Sequence, residues 1–348
     1  MITLSHPQDG KRKPGFRLGM FAVLFAFVVI GLGAFTRLVD AGLGCPDWPT
    51  CYGHVLWPNT EHEINKANQA FPDMPVIDGK AWPEMVHRYF AASLGFIAIL
   101  LVVNAIKHRK DRLQPFKLPI FLLAFVILQG LFGMWTVTLK LWPQVVTAHL
   151  LGGFTTLSLL WLLTLRLSNT HWHLPLPDWQ KLNALRPLAV FTLVIVVIQI
   201  SLGGWTTSNY AAVACPDLPT CQGQWWPAMS FQEGFNFFQA VGPNYLGGMM
   251  DNEARITIHM MHRLGAIVTT VITAFLCLRL LSHVGAGQAG RIAHIILVVL
   301  VLQVLLGLSN IFFHFPLSVA VAHNLGGACL LLVLLTLNYR MLTAKMIG

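Results

Sequence analysis

The stretch "LGAFTRLVDAGLGCPDWPTCYG", residues 32–53, returns 170 residues later as "LGGWTTSNYAAVACPDLPTCQG", residues 202–223. So unusual a string does not arise twice from composition alone, and the segments around it repeat as well. "EMVHRYFAASLG" (84–95) matches "HMMHRLGAIVTT" (259–270), and "LQGLFGMWTVTLKLWPQVVTAHLLGG" (128–153) matches "LQVLLGLSNIFFHFPLSVAVAHNLGG" (302–327). The chain is a duplication, and the repeated unit decides the fold.

The unit is a membrane unit. Of the 348 residues 55% are hydrophobic and 11% charged, against roughly 25% charged in soluble domains, and the mean hydropathy is +0.63. Apolar runs of the roughly 20 residues that cross a bilayer fall at 16–38, 84–106, 118–139, 144–166, 188–207, 254–281, 291–312 and 317–341. The expected fold is therefore all-α and integral to the membrane, with eight transmembrane helices in two tandem four-helix bundles. The first run follows "KRKPGFR" with no small-residue cleavage site, and reads as a retained span. Each unit holds an even number of spans, so both enter the membrane in the same direction. A pseudo-two-fold axis along the membrane normal is expected to relate them.

Lys and Arg accumulate on the cytoplasmic side of membrane proteins. Sixteen of the 23 lie in the N-terminal tail, the segments 106–117, 166–186 and 279–291, and the C-terminal end from Arg340 onward. Both termini are thus expected in the cytoplasm, in the plasma (inner) membrane of a bacterium. The organisation reads as a cytoplasmic tail 1–17, an N-terminal bundle 18–166, a cytoplasmic linker 167–187, a C-terminal bundle 188–341 and a cytoplasmic tail 342–348. The formal charge of +9 is accounted for by this topology, because 11 of the 14 acids fall on the outer side. Basic residues then serve as orientation signals beside the lipid bilayer, and no nucleic-acid partner is expected.

Four histidines keep equivalent places: His87 with His262, and His149 with His323. Their helices run from outside to inside, and each histidine lies roughly 5–12 Å below the outer end at 1.5 Å per residue. Ionisable side chains at that depth are costly and mark function. Two imidazoles on facing helices suit bis-histidine ligation of a heme iron, whereas a bare metal site would recruit further Cys, Asp or His. Small residues follow the ligands at i+3 and i+4, where a porphyrin would lie against the helix. These are Gly152 and Gly153, Gly326 and Gly327, Gly265 and Ala266, with Phe90 and Ala91 after His87.

Through "EMVHR", "TAHLLGG", "MMHRLG", "VAHNLGG" and the paired loop cysteines, the sequence resembles the heme A synthase family over nearly its whole length. The resemblance implies an oxidoreductase that converts heme O to heme A for cytochrome oxidase, oxidising a ring methyl to a formyl group in two successive steps. It implies a resident heme b held by His262 and His323, and a substrate site at His87 and His149 with heme sites toward the outer side. It also implies heme O as substrate and heme A as product, with the heme O synthase and an electron donor as partners. The sequence neither fixes nor forbids a homo-oligomer.

Glu84, aligned with His259, breaks the symmetry. Three residues before His87, it shares that helix face, and a carboxylate there could move protons. An acid beside Pro83 also suits a helix start; the family's glutamate at this position favours the catalytic role. Arg88 and Arg263 follow their histidines and are candidates for the heme propionates. Cys45 with Cys51, and Cys215 with Cys221, are expected as loop disulfides in an oxidising outer compartment, redox transfer or heme capture being the alternative. A di-heme electron-transfer protein of the cytochrome b kind would explain the histidine pairs, but neither the Glu84/His259 difference nor the cysteine loops. A heme or lipid transporter would explain the duplication alone.

Overall fold

The computed structural model describes residues 10–284 and 287–347. Residues 1–9 of the expected N-terminal tail, residues 285–286 of the expected cytoplasmic loop and the terminal Gly348 lie outside it. Helices α1 (Phe16–Leu38), α3 (Ala81–Lys107), α4 (Lys117–Thr138) and α5 (Pro143–Ser168) form the first unit. Helices α7 (Arg186–Ser208), α9 (Asn252–Val284), α10 (Gln288–Phe312) and α11 (Leu317–Thr343) form the second. All eight are long and apolar enough to cross a membrane, and the protein is a multi-pass membrane protein. Between them lie α2 (Glu61–Ala70) and α8 (Phe231–Gly234) in the two long loops, and α6 (Leu176–Ala184) in the linker.

Within each unit the helices pack in a ring: α1 on α3, α3 on α4, α4 on α5 and α5 back on α1, then likewise α7, α9, α10 and α11. The units meet through α1 with α11, α5 with α7, and α5 with α11. Exchanging each helix for its repeat turns the first contact into the second and leaves the third unchanged. Two apolar cores result, one around Leu101, Leu122 and Leu157, the other around Leu276, Leu280 and Ile296. Helix α11 supplies Leu331 to the first and Leu334 to the second, so the units share a wall.

The backbone repeats as faithfully as the sequence. Non-glycine residues with positive φ fall in equivalent pairs: Asp40 with Tyr210, Tyr52 with Gln222, Lys140 with His314, and Leu141 with Phe315. Side chains disfavour that region, so its recurrence at matched positions reflects inherited turns. The remaining case, Asn169, ends α5 in the linker.

Three features differ from the sequence expectation. Helix α3 starts at Ala81 rather than 84, so Glu84 sits inside the first turn. The first long loop carries α2, whose Thr60 and Glu63 form a reciprocal capping box, a local signal that hydropathy does not register. The C-terminal tail does not begin at 342: α11 runs to Thr343, and β2 (Lys345–Ile347) pairs in parallel with β1 (His173–Pro175) of the linker.

Candidate functional site

The duplicated cysteine strings fold into the same loop twice. Cys45 is bonded to Cys51 and Cys215 to Cys221. Inside the first turn, Asp47 accepts from the Thr50 hydroxyl (2.5 Å), the Tyr52 amide (2.6 Å) and the Gly53 amide (2.9 Å). Asp217 does the same with Thr220, Gln222 and Gly223. Burial works against the charge on Asp47, but the Thr50 hydroxyl and the Gly53 and Tyr52 amides outweigh it and hold its carboxyl below the usual range. The Thr220 hydroxyl and the Gly223 amide bring Asp217 down to about 2.

Each loop is clamped to its histidine helix by the arginine beside the histidine. Arg88 donates to the carbonyls of Asp47 (3.0 Å) and Thr50 (2.8 Å); Arg263 donates to those of Cys215 (2.8 Å), Asp217 (2.9 Å) and Thr220 (2.9 Å). A planar fork of donors is suited to gathering several carbonyls at once. Both guanidiniums therefore hold loops, a role that the sequence reading did not assign.

Arg88 also pairs with the carboxylate of Glu84. The other Glu84 oxygen accepts the Cys45 amide at 3.0 Å. At 4% exposure Glu84 is the only buried carboxylate among the described residues. Gly44 makes the arrangement possible: a β-carbon there would overlap the Lys80 carbonyl, so only glycine lets the loop backbone approach the start of α3. The second unit has Ala214 at that place, and His259, where Glu84 would be, donates from Nδ1 to the Ala211 carbonyl at 3.1 Å. The loops share their bonds and differ in the group they meet.

Below the loops lie the four histidines. Each packs on a glycine of the preceding helix, and a β-carbon on that glycine would stand 2.8 Å (Gly33) from His87, 3.4 Å (Gly133) from His149, 3.2 Å (Gly203) from His262 and 3.0 Å (Gly307) from His323. The sequence reading missed these glycines, although all four stand in the aligned repeats.

The donor set fits a heme. The rings of His87 and His149 stand with centres 6.5 Å apart and planes at 86°, a pair on two helices of one unit of the kind that would hold a heme iron. The Nδ1 atoms of His87, His149 and His323 are buried without a hydrogen-bond partner. No cluster of three or more His, Cys, Asp and Glu suited to a bare ion occurs among the described residues.

The sequence pattern described as "Cytochrome oxidase assembly protein" matches residues 16–335. The heme A synthase of Shewanella oneidensis is 45% identical over 317 residues, covering 91% of this chain and 93% of the relative. The chain belongs to the heme A synthase family. More distant members include the heme A synthases of Caulobacter vibrioides, 27% identical over 92% of this chain and 93% of its own, and of Chelativorans sp., 27% identical over 88% and 84%. Similarity at this coverage takes in both units and both loops.

The two units also interlock at the ends that carry the long loops. Arg37 donates to the Thr207 carbonyl (2.7 Å) and stacks on Tyr210 at 4.0 Å. From the second long loop, the Tyr245 amide bonds the Lys140 carbonyl (3.0 Å), and Tyr245 packs with Leu43, Val137 and Leu141. Trp142 donates to the Gln239 carbonyl at 3.1 Å. The second unit's loop thereby covers part of the first.

Proposed function

We propose that the protein is a heme A synthase, oxidising a ring methyl of heme O to the formyl group of heme A. The observation that carries this is the facing pair His87 and His149 beside a buried, loop-held Glu84, in a chain that belongs to the heme A synthase family. In this reading the N-terminal unit, 18–166, holds substrate heme O between His87 and His149. The C-terminal unit, 188–341, holds a resident heme b between His262 and His323. A pseudo-two-fold axis along the membrane normal relates the units, a reading supported by the exchanged helix contacts. The sites face the outer side of the plasma membrane and both termini face the cytoplasm.

The resident heme supplies one-electron chemistry. The chain's own residues supply position and protons. His87 and His149 fix the substrate ring between facing helices, and proximity of this kind lowers the barrier by removing rotational and translational freedom. Glu84 exchanges protons as the methyl is oxidised twice and the hydrated aldehyde loses water. Arg88 pairs with Glu84 and fixes the loop; the propionates of a bound substrate would meet that same loop from the histidine side. His259 offers no equivalent carboxylate, so the second unit keeps its heme without modifying it. Each of the two oxidations removes two electrons from the methyl, which an external oxidant such as dioxygen must accept; heme O from its synthase and an electron donor that primes this oxidant complete the reaction.

The test is coexpression with a heme O producer and chromatography of the extracted hemes. Appearance of heme A together with heme b is expected. Protein holding two equivalents of heme b and no heme A would favour the di-heme electron carrier and overturn the proposal.

A further inference from the structure

Three of the four histidines share a companion that the fourth lacks. One turn before the cradle glycine, Gln129, Gln199 and Gln303 extend over Gly152, Gly265 and Gly326, the residues three past His149, His262 and His323. Each amide lies so close to its glycine that no β-carbon would fit. Each glutamine also buries its Oε1 without a hydrogen-bond partner. At His87 the equivalent positions are Val29 and Phe90. Val29 is buried at 8% exposure, and Phe90 stacks on Phe25 with ring centres 5.5 Å apart and planes at 11°.

This apolar corner has a definite depth. α1 and α3 run in opposite directions, so Val29, one turn before Gly33, and Phe90, one turn after His87, lie together on the membrane-centre side of the histidine. Arg88, Asp47 and the disulfide loop lie on the outer side. A heme held here with its carboxylate edge outward turns its apolar edge toward Val29 and Phe90. Heme O differs from heme b on that edge, where a long farnesyl-derived chain replaces a vinyl group. Such a chain packs favourably on Val and Phe, whereas against a buried glutamine it would strip an amide of partners.

We propose that Val29, Phe90 and Phe25 form the wall against which the isoprenoid chain of heme O lies. This corner determines which unit accepts heme O, and glutamines at both positions of the second unit, Gln199 and Gln303, disfavour the chain there. The proposal rests on heme O being the substrate of the N-terminal unit.

The experiment gives the first unit the residues of the second. Full-length Val29→Gln/Phe90→Gly, coexpressed with a heme O producer, is purified and its hemes are extracted and separated. The sum of heme O and heme A should fall about tenfold relative to heme b, with heme b per protein unchanged. Val29→Leu/Phe90→Leu, which keeps the wall apolar, should retain at least half of the wild-type sum. An unchanged ratio in the Gln/Gly variant, or an equal loss in the Leu/Leu variant with heme b intact, overturns the wall. Should the Gln/Gly variant lose heme b as well, Val29→Thr, which keeps the shape but adds a hydroxyl, decides by the same ratio: a fall supports the wall and no change overturns it. Wild type that holds heme b but neither heme O nor heme A would instead overturn the substrate reading, and the proposal with it.

Discussion

The two disulfide loops share a backbone, a bonded aspartate, a clamping arginine and a cysteine pair, yet only the first closes on a carboxylate. Gly44 lets the Cys45 amide reach Glu84, and Arg88 divides its nitrogens between that acid and the loop. In the second loop Ala214 replaces the glycine, His259 replaces the acid, and Arg263 spends its bonds on carbonyls alone. Duplication preserved the arginine-clamped loop and changed the group on which it closes. One unit then closes its loop on a carboxylate and the other on an imidazole.

Glu84→Gln should break this comparison most. Removing a positioned acid–base group typically costs 10²–10⁴ in rate, so heme A should fall at least a hundredfold while heme b stays, with heme O accumulating. A role confined to the helix dipole is worth only about 0.3–1 kcal/mol, and predicts heme A close to wild type. Chromatography of the hemes separates these outcomes.

Gly44→Ala comes next. The added methyl meets the Lys80 carbonyl and displaces the Cys45 amide from Glu84, so heme A should drop about tenfold. The mirror change Ala214→Gly should leave both hemes within about twofold of wild type, since glycine costs only about 1 kcal/mol of backbone freedom. Equal effects on the two sides would mean that the loops do not differ in function.

A smaller effect is expected from arginine. Lys cannot reproduce the fork, so Arg88→Lys and Arg263→Lys should each speed reduction of their own disulfide several-fold, measured by thiol labelling. Only Arg88→Lys should also lower heme A, because only Arg88 holds Glu84.

The smallest effect concerns acid. The folded-state pKa of Asp217 lies at about 2, below the ordinary 3.8. Its stabilisation of the loop is therefore present above 3.8 and is lost as pH falls through 2. Hydrogen exchange over residues 215–226, corrected for the intrinsic rate, should be the same at pH 7 and pH 4.5. Marked loosening by pH 4.5 would contradict the assignment.

Much of this was legible in the sequence. Hydropathy gave eight spans to within a few residues, because a bilayer imposes length and apolarity on each helix separately. The four histidines and two cysteine pairs stood out because duplication printed them twice. Glu84 stood out because the copies disagree there. What the sequence left hidden depends on approach between helices: Gly33, Gly133, Gly203 and Gly307 are ordinary glycines until a histidine from the next helix rests on them. The arginines illustrate the same limit. Arg88 and Arg263 stand beside the duplicated histidines, and nothing in that position announces that their nitrogens also gather loop carbonyls some 40 to 50 residues away in the chain. Helix α2 and the β1–β2 pair were missed because short polar elements leave no hydropathy signal.

The central claim is that one histidine pair holds substrate and the other a resident cofactor, and paired ligand variants test it most directly. His87→Ala/His149→Ala and His262→Ala/His323→Ala are prepared in parallel with a heme O supply, and heme b, heme O and heme A are quantified per protein. The account predicts that the first variant keeps its low-spin heme b and loses bound heme O and heme A. It predicts that the second loses heme b and, with it, heme A formation, while still retaining heme O. Loss of heme b from the first variant but not the second, or the same heme profile in both, would contradict it.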